Sequence, residues 1–183
     1  MLIQTEQTPN PNTLKFLPGK KVSEIGPVEF TKKNNSTNIS LVNEILSLDG
    51  IEMIFFGEDF ITVKKGEKFS WNEIKHNVIA RINDYYLKGH KVIIKKNKDS
   101  KGKNTTETSE VIIKINQVLD TKIRPAVARD GGDIKFRSFK NGIVQVELQG
   151  SCSGCPSSIM TLKQGVQNLL CHYVPEVKGV EAI

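Results

Sequence analysis

The sequence predicts an α+β protein in which two small domains are joined by a flexible linker. Three observations support this prediction. Residues 95–109 are polar and lack apolar periodicity, which is typical of a flexible connection. The segments on either side mix helical and strand-like periodicity. The 183 residues therefore divide into a domain at 1–94, the linker at 95–109 and a domain at 110–183.

The first domain is predicted to be a compact α+β module. Its predicted elements are, in order, a strand at 14–17, a helix at 39–48 and a hairpin of strands at 51–56 and 60–63. Ser70 and Glu73 then have the spacing of a capping box, which indicates the start of another helix. Its apolar face is predicted from residues at helical spacing: Ile74, Val78, Ile82 and Tyr85. The domain shows no catalytic constellation.

The second domain begins with a predicted helix over 111–127, which Pro125 is expected to kink or split near its end. Asp130-Gly131-Gly132-Asp133 is predicted to be a helix stop and turn. Two alternating runs, 134–139 and 143–148, flank Asn141-Gly142 and predict a tight hairpin.

A final helix is predicted to open at Pro156, because proline is well tolerated in a first helical turn. Residues 177–183 are predicted to return as a strand, which gives the domain the order α-β-β-α-β. The apolar stripe of the final helix is predicted from Ile159, Leu162, Val166, Leu169 and Tyr173.

Two cysteines lie three residues apart on the glycine-rich loop between the last hairpin strand and this helix. They are Cys152 and Cys155. The unpaired N–H groups and positive dipole end of a helix favour thiolate over thiol, so the sequence predicts lowered pKa values for these thiols. The loop is predicted to capture metal or to perform nucleophilic sulfur chemistry.

One chain cannot supply four thiolates to one metal site, because it contains only three cysteines. Cys171 would lie about 22 Å from the start of an unbroken final helix, given a rise of about 1.5 Å per residue. His172 is too distant for the same reason. Two chains related by a two-fold axis would supply four thiolates, which suit tetrahedral zinc or an iron–sulfur cluster.

Composition excludes several other classes of function. The chain is 38% hydrophobic and 25% charged, as in an ordinary soluble protein, and no apolar run approaches a membrane span. The net charge of +6 comes in part from lysines between 88 and 103, which lack interleaved aromatic residues, so we expect no nucleic-acid binding. Few cysteines and no secretory pattern favour a reducing compartment, with the cytoplasm expected first.

Short motifs in both halves of the chain resemble the NifU-like iron–sulfur proteins of the Nfu type. In the second domain the resemblance rests on Arg124-Pro125, Asp130-Gly131-Gly132-Asp133, the run 148–158 around both cysteines, Thr161-Leu162-Lys163, Pro175-Glu176-Val177 and Gly179-Val180. In the first domain it rests on 8–12, 14–16, 55–57 and 59–63. The linker and residues 32–38 are not covered.

The resemblance implies a non-catalytic scaffold or carrier that binds a [4Fe-4S] cluster between the subunits of a homodimer. It implies Cys152 and Cys155 as ligands, recipient apoproteins, and upstream assembly machinery as partners; a [2Fe-2S] cluster would accept the same four sulfurs. We expect neighbouring residues to let the backbone approach the cluster and to temper its charge: Gly150, Ser151, Ser153, Gly154 and Pro156. A bacterial cytoplasmic protein, or a mature form in the mitochondrial matrix, fits the absence of an amphipathic presequence.

Other functions of the C-x-x-C pair are a thiol-disulfide oxidoreductase or a zinc-binding module. The first is disfavoured because the proline follows the second cysteine instead of lying between the two. Cys171 is predicted to be a surface or boundary thiol without a role. His76, His90 and His172 have no companion nucleophile or carboxylate at a recognisable spacing, so catalysis is not expected.

Overall fold

The structure is a computed structural model that describes residues 2–34, 37–90, 93–94, 109–153 and 156–183. The chain divides into two compact units, residues 1–97 and 98–183. Almost all of the predicted linker, residues 95–108, lies outside the described residues, so its flexibility stays a prediction. The α+β class is confirmed in both units.

The first unit is a five-stranded antiparallel sheet with two helices. Its strands are β1 Gln4–Gln7, β2 Thr13–Leu17, β3 Val28–Thr31, β4 Ile51–Phe56 and β5 Ile61–Lys65, in the order β1-β2-β5-β4-β3. Its helices are α1 Ser40–Leu46 and α2 Trp71–Leu87, and a 3-10 turn covers Lys32–Asn34. The predicted hairpin is confirmed as β4 paired with β5.

Helix α2 begins where the sequence predicts. The Ser70 side chain accepts a hydrogen bond from the Asn72 N–H at 3.3 Å, which satisfies one of the donors that a helix start leaves unpaired. The predicted apolar face is buried against the sheet in one core. Its largest fully buried members in this unit are Phe16, Phe56, Leu41, Ile45, Ile51, Ile54, Ile61 and Ile82.

The second unit has the predicted order α-β-β-α-β. Its elements are α3 Glu110–Val118, a π-helical turn Leu119–Ile123, α4 Arg124–Arg129, β6 Gly132–Lys140, β7 Ile143–Gly150, α5 Pro156–Tyr173 and β8 Gly179–Ala182. The sheet order is β6-β7-β8, with β6 antiparallel and β8 parallel to β7. The loop that carries the cysteines therefore lies between a central strand and α5.

The break predicted near Pro125 is present as the π-helical turn. Proline has no N–H to donate to the carbonyl four residues earlier, and its ring crowds that carbonyl. The helix widens over Leu119–Ile123, directly before Arg124 and Pro125, and continues as α4. Pro125 therefore interrupts the helix without ending it.

The hairpin between β6 and β7 is confirmed, but it contains an irregularity that the sequence does not reveal. Asn141 and Gly142 have φ values of 52° and 83°, as a type I′ turn requires. The register then shifts between Phe136 and Ser138, where a β-bulge places an extra residue on β6. Beyond the bulge, Gly132 lies opposite Gly150.

The predicted stripe of α5 is wrong at two positions. Leu169 and Tyr173 are 37% and 47% exposed, whereas Leu170 is fully buried. Each helical residue advances the side chain by about 100°, so Leu170, four residues after Val166, continues the buried face. Leu169 lies at the edge of that face, and the Tyr173 ring lies 5.8 Å from the Lys122 ammonium.

Candidate metal centre

The cysteine loop is tied to the turn that precedes β6. The Ser151 N–H donates a hydrogen bond to the Gly131 carbonyl at 3.2 Å, and the Ser151 hydroxyl donates to the Asp130 carbonyl. Gly150, which precedes the loop, has a φ of 69° and so occupies the left-handed region. The turn at 130–131 and the loop at 150–151 therefore form one hydrogen-bonded unit at the end of the sheet.

Ser153 closes the first part of the loop on itself. Its N–H donates to the Gly150 carbonyl at 3.2 Å, and its hydroxyl donates to the same carbonyl at 2.8 Å. These N–H groups of Ser151 and Ser153 are among those expected to temper the charge of a cluster. In the structure they donate to backbone carbonyls, which gives the loop its shape, and their role towards a cluster stays a prediction.

The Cys152 side chain points into the apolar core, where it is only 5% exposed. It rests against Gly132: a Cβ at that position would lie 2.7 Å from the Cys152 Sγ and 2.6 Å from the Gln149 carbonyl oxygen. Real Cβ contacts are not that short, so the absence of a side chain at Gly132 makes room for the thiol. The Ser151 hydroxyl lies 3.9 Å from the same sulfur.

Burial raises the pKa of Cys152 to about 11. The hydrogen bond from Ser151 opposes this shift, while the nearby charges of Asp130 and Asp133 add to it. The prediction of a lowered pKa is therefore wrong for Cys152. The helix start was expected to lower the pKa of this thiol, but burial of the sulfur in the core raises the pKa by more.

The second predicted ligand, Cys155, lies outside the described residues together with Gly154. The backbone of α5 begins at Pro156, as predicted from its position after the cysteines. The assignment of Cys155 as a ligand stays a prediction.

The remaining candidate ligands lie elsewhere. Cys171 is partly buried against the core in the last turn of α5, about 22 Å along the helix from Pro156 at about 1.5 Å per residue. His172 and His76 are exposed, and the exposed His90 stacks on Tyr85 with ring centroids 4.3 Å apart. Among the described residues, no three His, Cys, Asp or Glu side chains are grouped so that they could hold a metal ion.

Sequence reasoning missed a buried polar group beside the loop. Asp133 was predicted to belong to a turn, but it lies in β6, is 4% exposed and pairs in register with Gln149, which is 9% exposed. Its Oδ1 lies 3.4 Å from the Arg124 Nε. Burial raises the pKa of Asp133, and the Arg124 charge opposes that rise. The bulge hid this arrangement, because a regular count from the hairpin turn puts Gly150 opposite Asp133.

No helix within the described parts of the chain is long and apolar enough to cross a membrane. Most of the basic segment at 88–103 lies outside those parts, so the expectation that it does not bind nucleic acid stays a prediction.

Family models match both units of the chain. A model described as "NifU-like domain" matches residues 115–181, and one described as "Scaffold protein Nfu/NifU N terminal" matches residues 3–89. The cysteine loop lies inside the first match.

Curated relatives match over almost the full chain. The chain is 44% identical over 184 residues to "NFU1 iron-sulfur cluster scaffold homolog, mitochondrial" from Homo sapiens, covering 100% of this chain and 72% of that protein. It is 44% identical over 189 residues to "NifU-like protein 4, mitochondrial" from Arabidopsis thaliana, covering 99% of this chain and 65% of that protein. A solution structure of a NifU-like protein from Saccharomyces cerevisiae matches 53% of this chain and 87% of its own, with 30% identity and a TM-score of 0.47.

Proposed function

This chain belongs to the Nfu type of the NifU-like iron–sulfur scaffold family, and we propose on that premise that it holds a [4Fe-4S] cluster between two copies of itself. The cluster is cargo: it is received from assembly machinery and passed to recipient apoproteins. The protein thereby acts as a carrier and catalyses no reaction of its own.

Cys152 and Cys155 of each copy provide the four thiolates. The observation that carries this proposal is the place of Cys152, on a loop hydrogen-bonded to the turn before β6 and to the last residue of β7, inside the family-matched domain. Cys171, the other cysteine that the structure describes, is too far along α5 to join the same site. A second copy of the chain is the simplest source of the missing ligands.

Loading requires a change at Cys152. Iron binds thiolate, so the thiol has to lose its proton and the sulfur has to leave its position beside Gly132. The free energy of burying the thiol opposes coordination and makes the bond to iron easier to give up. This suits a carrier, because a recipient's thiolates then displace the ligands one at a time. Gly150, Ser151, Ser153, Gly154 and Pro156 are the proposed residues around the ligands, which let the backbone approach the cluster and temper its charge.

The two relatives described above are mitochondrial proteins, which supports the mitochondrial matrix as the compartment for this chain. Either that compartment or a bacterial cytoplasm keeps thiols reduced, as cluster chemistry requires. We place the protein in the matrix.

Anaerobic reconstitution with iron and sulfide tests the function. The wild-type protein is expected to turn brown, to contain equal iron and sulfide, and to have the mass of a dimer. C152A and C155A are expected to hold no full cluster, while C171A, the matched control, behaves as wild type. Iron and sulfide content with Mössbauer spectroscopy separates [4Fe-4S] from [2Fe-2S].

Three outcomes would contradict the proposal. A colourless protein with stoichiometric zinc indicates a zinc module. A disulfide that forms and breaks between Cys152 and Cys155 indicates an oxidoreductase. A monomer that retains a complete cluster, or a full cluster in either cysteine variant, contradicts the shared site.

A further inference from the structure

Arg124, the first residue of α4, connects that helix to the edge strand β6. Its Nε donates a hydrogen bond to the Ile134 carbonyl at 3.1 Å and lies 3.4 Å from the Asp133 Oδ1. Its Nη1 donates to the Asp120 Oδ1 at 2.8 Å. One guanidinium thus fixes where β6 begins relative to the helix.

The Asp133 carboxylate depends on this neighbour. Its side chain is 6% exposed, whereas that of Arg124 is 40% exposed. Within the part of the chain that the structure describes, the Asp133 Oδ2 is buried and has no hydrogen-bond partner. Arg124 is the strongest of the groups that favour the charged carboxylate, ahead of the Ile134 N–H and the Lys135 ammonium. A buried carboxylate that loses its main cation is under-compensated, so it has to move towards water or take up a proton.

A movement of Asp133 reaches the cysteine loop through adjacent backbone. Gly132 precedes Asp133, lies opposite Gly150 in the register and forms the surface against which the Cys152 sulfur rests. The turn at 130–131, directly before Gly132, supplies the carbonyls that hold Ser151. The position of the loop is therefore coupled to the start of β6.

We propose that Arg124 is a positioning residue for the cluster: by neutralising Asp133 it fixes the turn that holds Ser151, and with it the loop that carries Cys152, and it thereby prolongs the lifetime of the bound cluster. The inference rests on the proposed function. Arg124 does not have to touch the cluster, because it acts through Asp133.

The decay of the reconstituted cluster tests this proposal. Wild type, R124M and R137M are compared anaerobically with excess chelator, well below the melting temperature of each protein, by the loss of visible absorbance. Arg137 is the matched control, because it is a 50% exposed arginine of the same unit that pairs with Glu147 on β6 and β7. R124M is expected to lose its cluster about tenfold faster than wild type, the lower end of the range for removing a group bonded directly to a metal ligand, because Arg124 acts one step further out. R137M is expected to match wild type.

Two further variants separate a positioning role from a general loss of stability. R124K keeps a cation beside Asp133, and R124M combined with D133N removes the buried charge, so both are expected to restore slow decay and the wild-type visible circular dichroism of the cluster. Only variants with native far-ultraviolet circular dichroism are compared, and R124Q replaces R124M if that protein does not fold.

The inference is overturned if R124M decays like R137M, or if neither R124K nor the double variant restores the lifetime. Its failure is distinguishable from that of the proposed function. A wild-type protein that takes up no cluster contradicts the function, whereas a wild-type cluster that is unaffected by R124M contradicts only the role of Arg124.

Discussion

The two ends of the β6–β7 hairpin differ in whether their polar groups have hydrogen-bond partners. At the closed end, Asn141 and Gly142 form a tight turn, and the Gly142 carbonyl accepts hydrogen bonds from the N–H groups of Lys178 and Gly179 at 2.7 and 3.2 Å. At the open end, Asp133 and Gln149 each bury an oxygen that has no hydrogen-bond partner among the described residues.

The difference indicates that the two ends serve different purposes. The closed end follows local turn chemistry and contributes mainly to stability. The open end keeps a cysteine in the core, a buried carboxylate near it and a glycine that makes room for the thiol. Such costly features are expected where a protein binds and releases something.

The largest expected effect is that of G132A at the open end. The added Cβ would lie 2.7 Å from the Cys152 Sγ and 2.6 Å from the Gln149 carbonyl oxygen, so the strand and the thiol have to separate. We expect a loss of about 2 to 3 kcal/mol in the free energy of unfolding. The iron content after reconstitution should not fall, because the thiol has to leave this position to bind iron. Urea denaturation and iron analysis measure the two effects, and an unchanged free energy of unfolding would mean that the thiol does not rest against Gly132.

The next effect concerns the reactivity of Cys152. A pKa of about 11 instead of the ordinary 9.0 leaves about a hundredfold less thiolate at pH 8, since each pKa unit is a factor of ten. Alkylation of Cys152 by iodoacetamide, followed by peptide mass spectrometry, is therefore expected to be at least that much slower in metal-free folded protein than in urea. Cys171, which is only partly buried, provides the internal comparison.

The same shift has a consequence for stability. Because folding raises the pKa of Cys152, the stability that comes from keeping this thiol neutral is fully present below pH 9 and is lost as the pH rises through about 11. C152A is expected to lose this part of the alkaline decline. Identical declines in both proteins, or equal alkylation of Cys152 in folded and unfolded protein, would contradict a buried thiol.

A smaller effect is expected for G142A at the closed end. Gly142 has a φ of 83°, which an L-residue adopts only with strain, and the nearest obstacles to a Cβ are side-chain carbons of the flexible Lys178. We expect a loss of about 1 kcal/mol in the free energy of unfolding. The iron content after reconstitution should equal that of wild type. A loss of cluster here would show that the two ends are not independent.

The smallest effect is expected for R137M, midway between the two ends. Hydrogen bonds from Arg137 lower the pKa of Glu147, so this pair stabilises the fold above the ordinary pKa of glutamate and loses its effect as the pH falls through the lowered value. The pair is largely exposed, and solvent screening limits its contribution to about 0.5 kcal/mol. Urea denaturation at pH 7 and pH 3 should show a larger difference between R137M and wild type at pH 7 than at pH 3.

Much of the fold could be predicted because it follows from short-range rules. Ser70 as a helix cap, Asn141-Gly142 as a hairpin turn and Pro156 as a helix start each act through a few neighbouring residues. Leu169 was misplaced for the opposite reason. A residue at the edge of an apolar stripe fits the helical periodicity as well as a residue at its centre. Only the packing of α5 against the rest of the unit shows that Leu170 is buried and Leu169 is not.

The candidate site was likewise predictable only in those features that depend on local sequence. By itself, the sequence determined where the cysteines lie, that they precede a helix, and that one chain has too few thiols for a four-thiolate site. These are properties of composition and spacing, which folding does not change.

Only the tertiary structure decided the environment of the site. The bulge in β6 shifts the register by one residue, which places Gly132 opposite Gly150 and Asp133 opposite Gln149. Burial then overrides the expected effect of the helix start on the pKa of the Cys152 thiol. The packing of α4 against β6 brings Arg124 to Asp133. The physical reason is that solvation and charge pairing depend on which distant residues surround a group, and that information is not contained in local sequence.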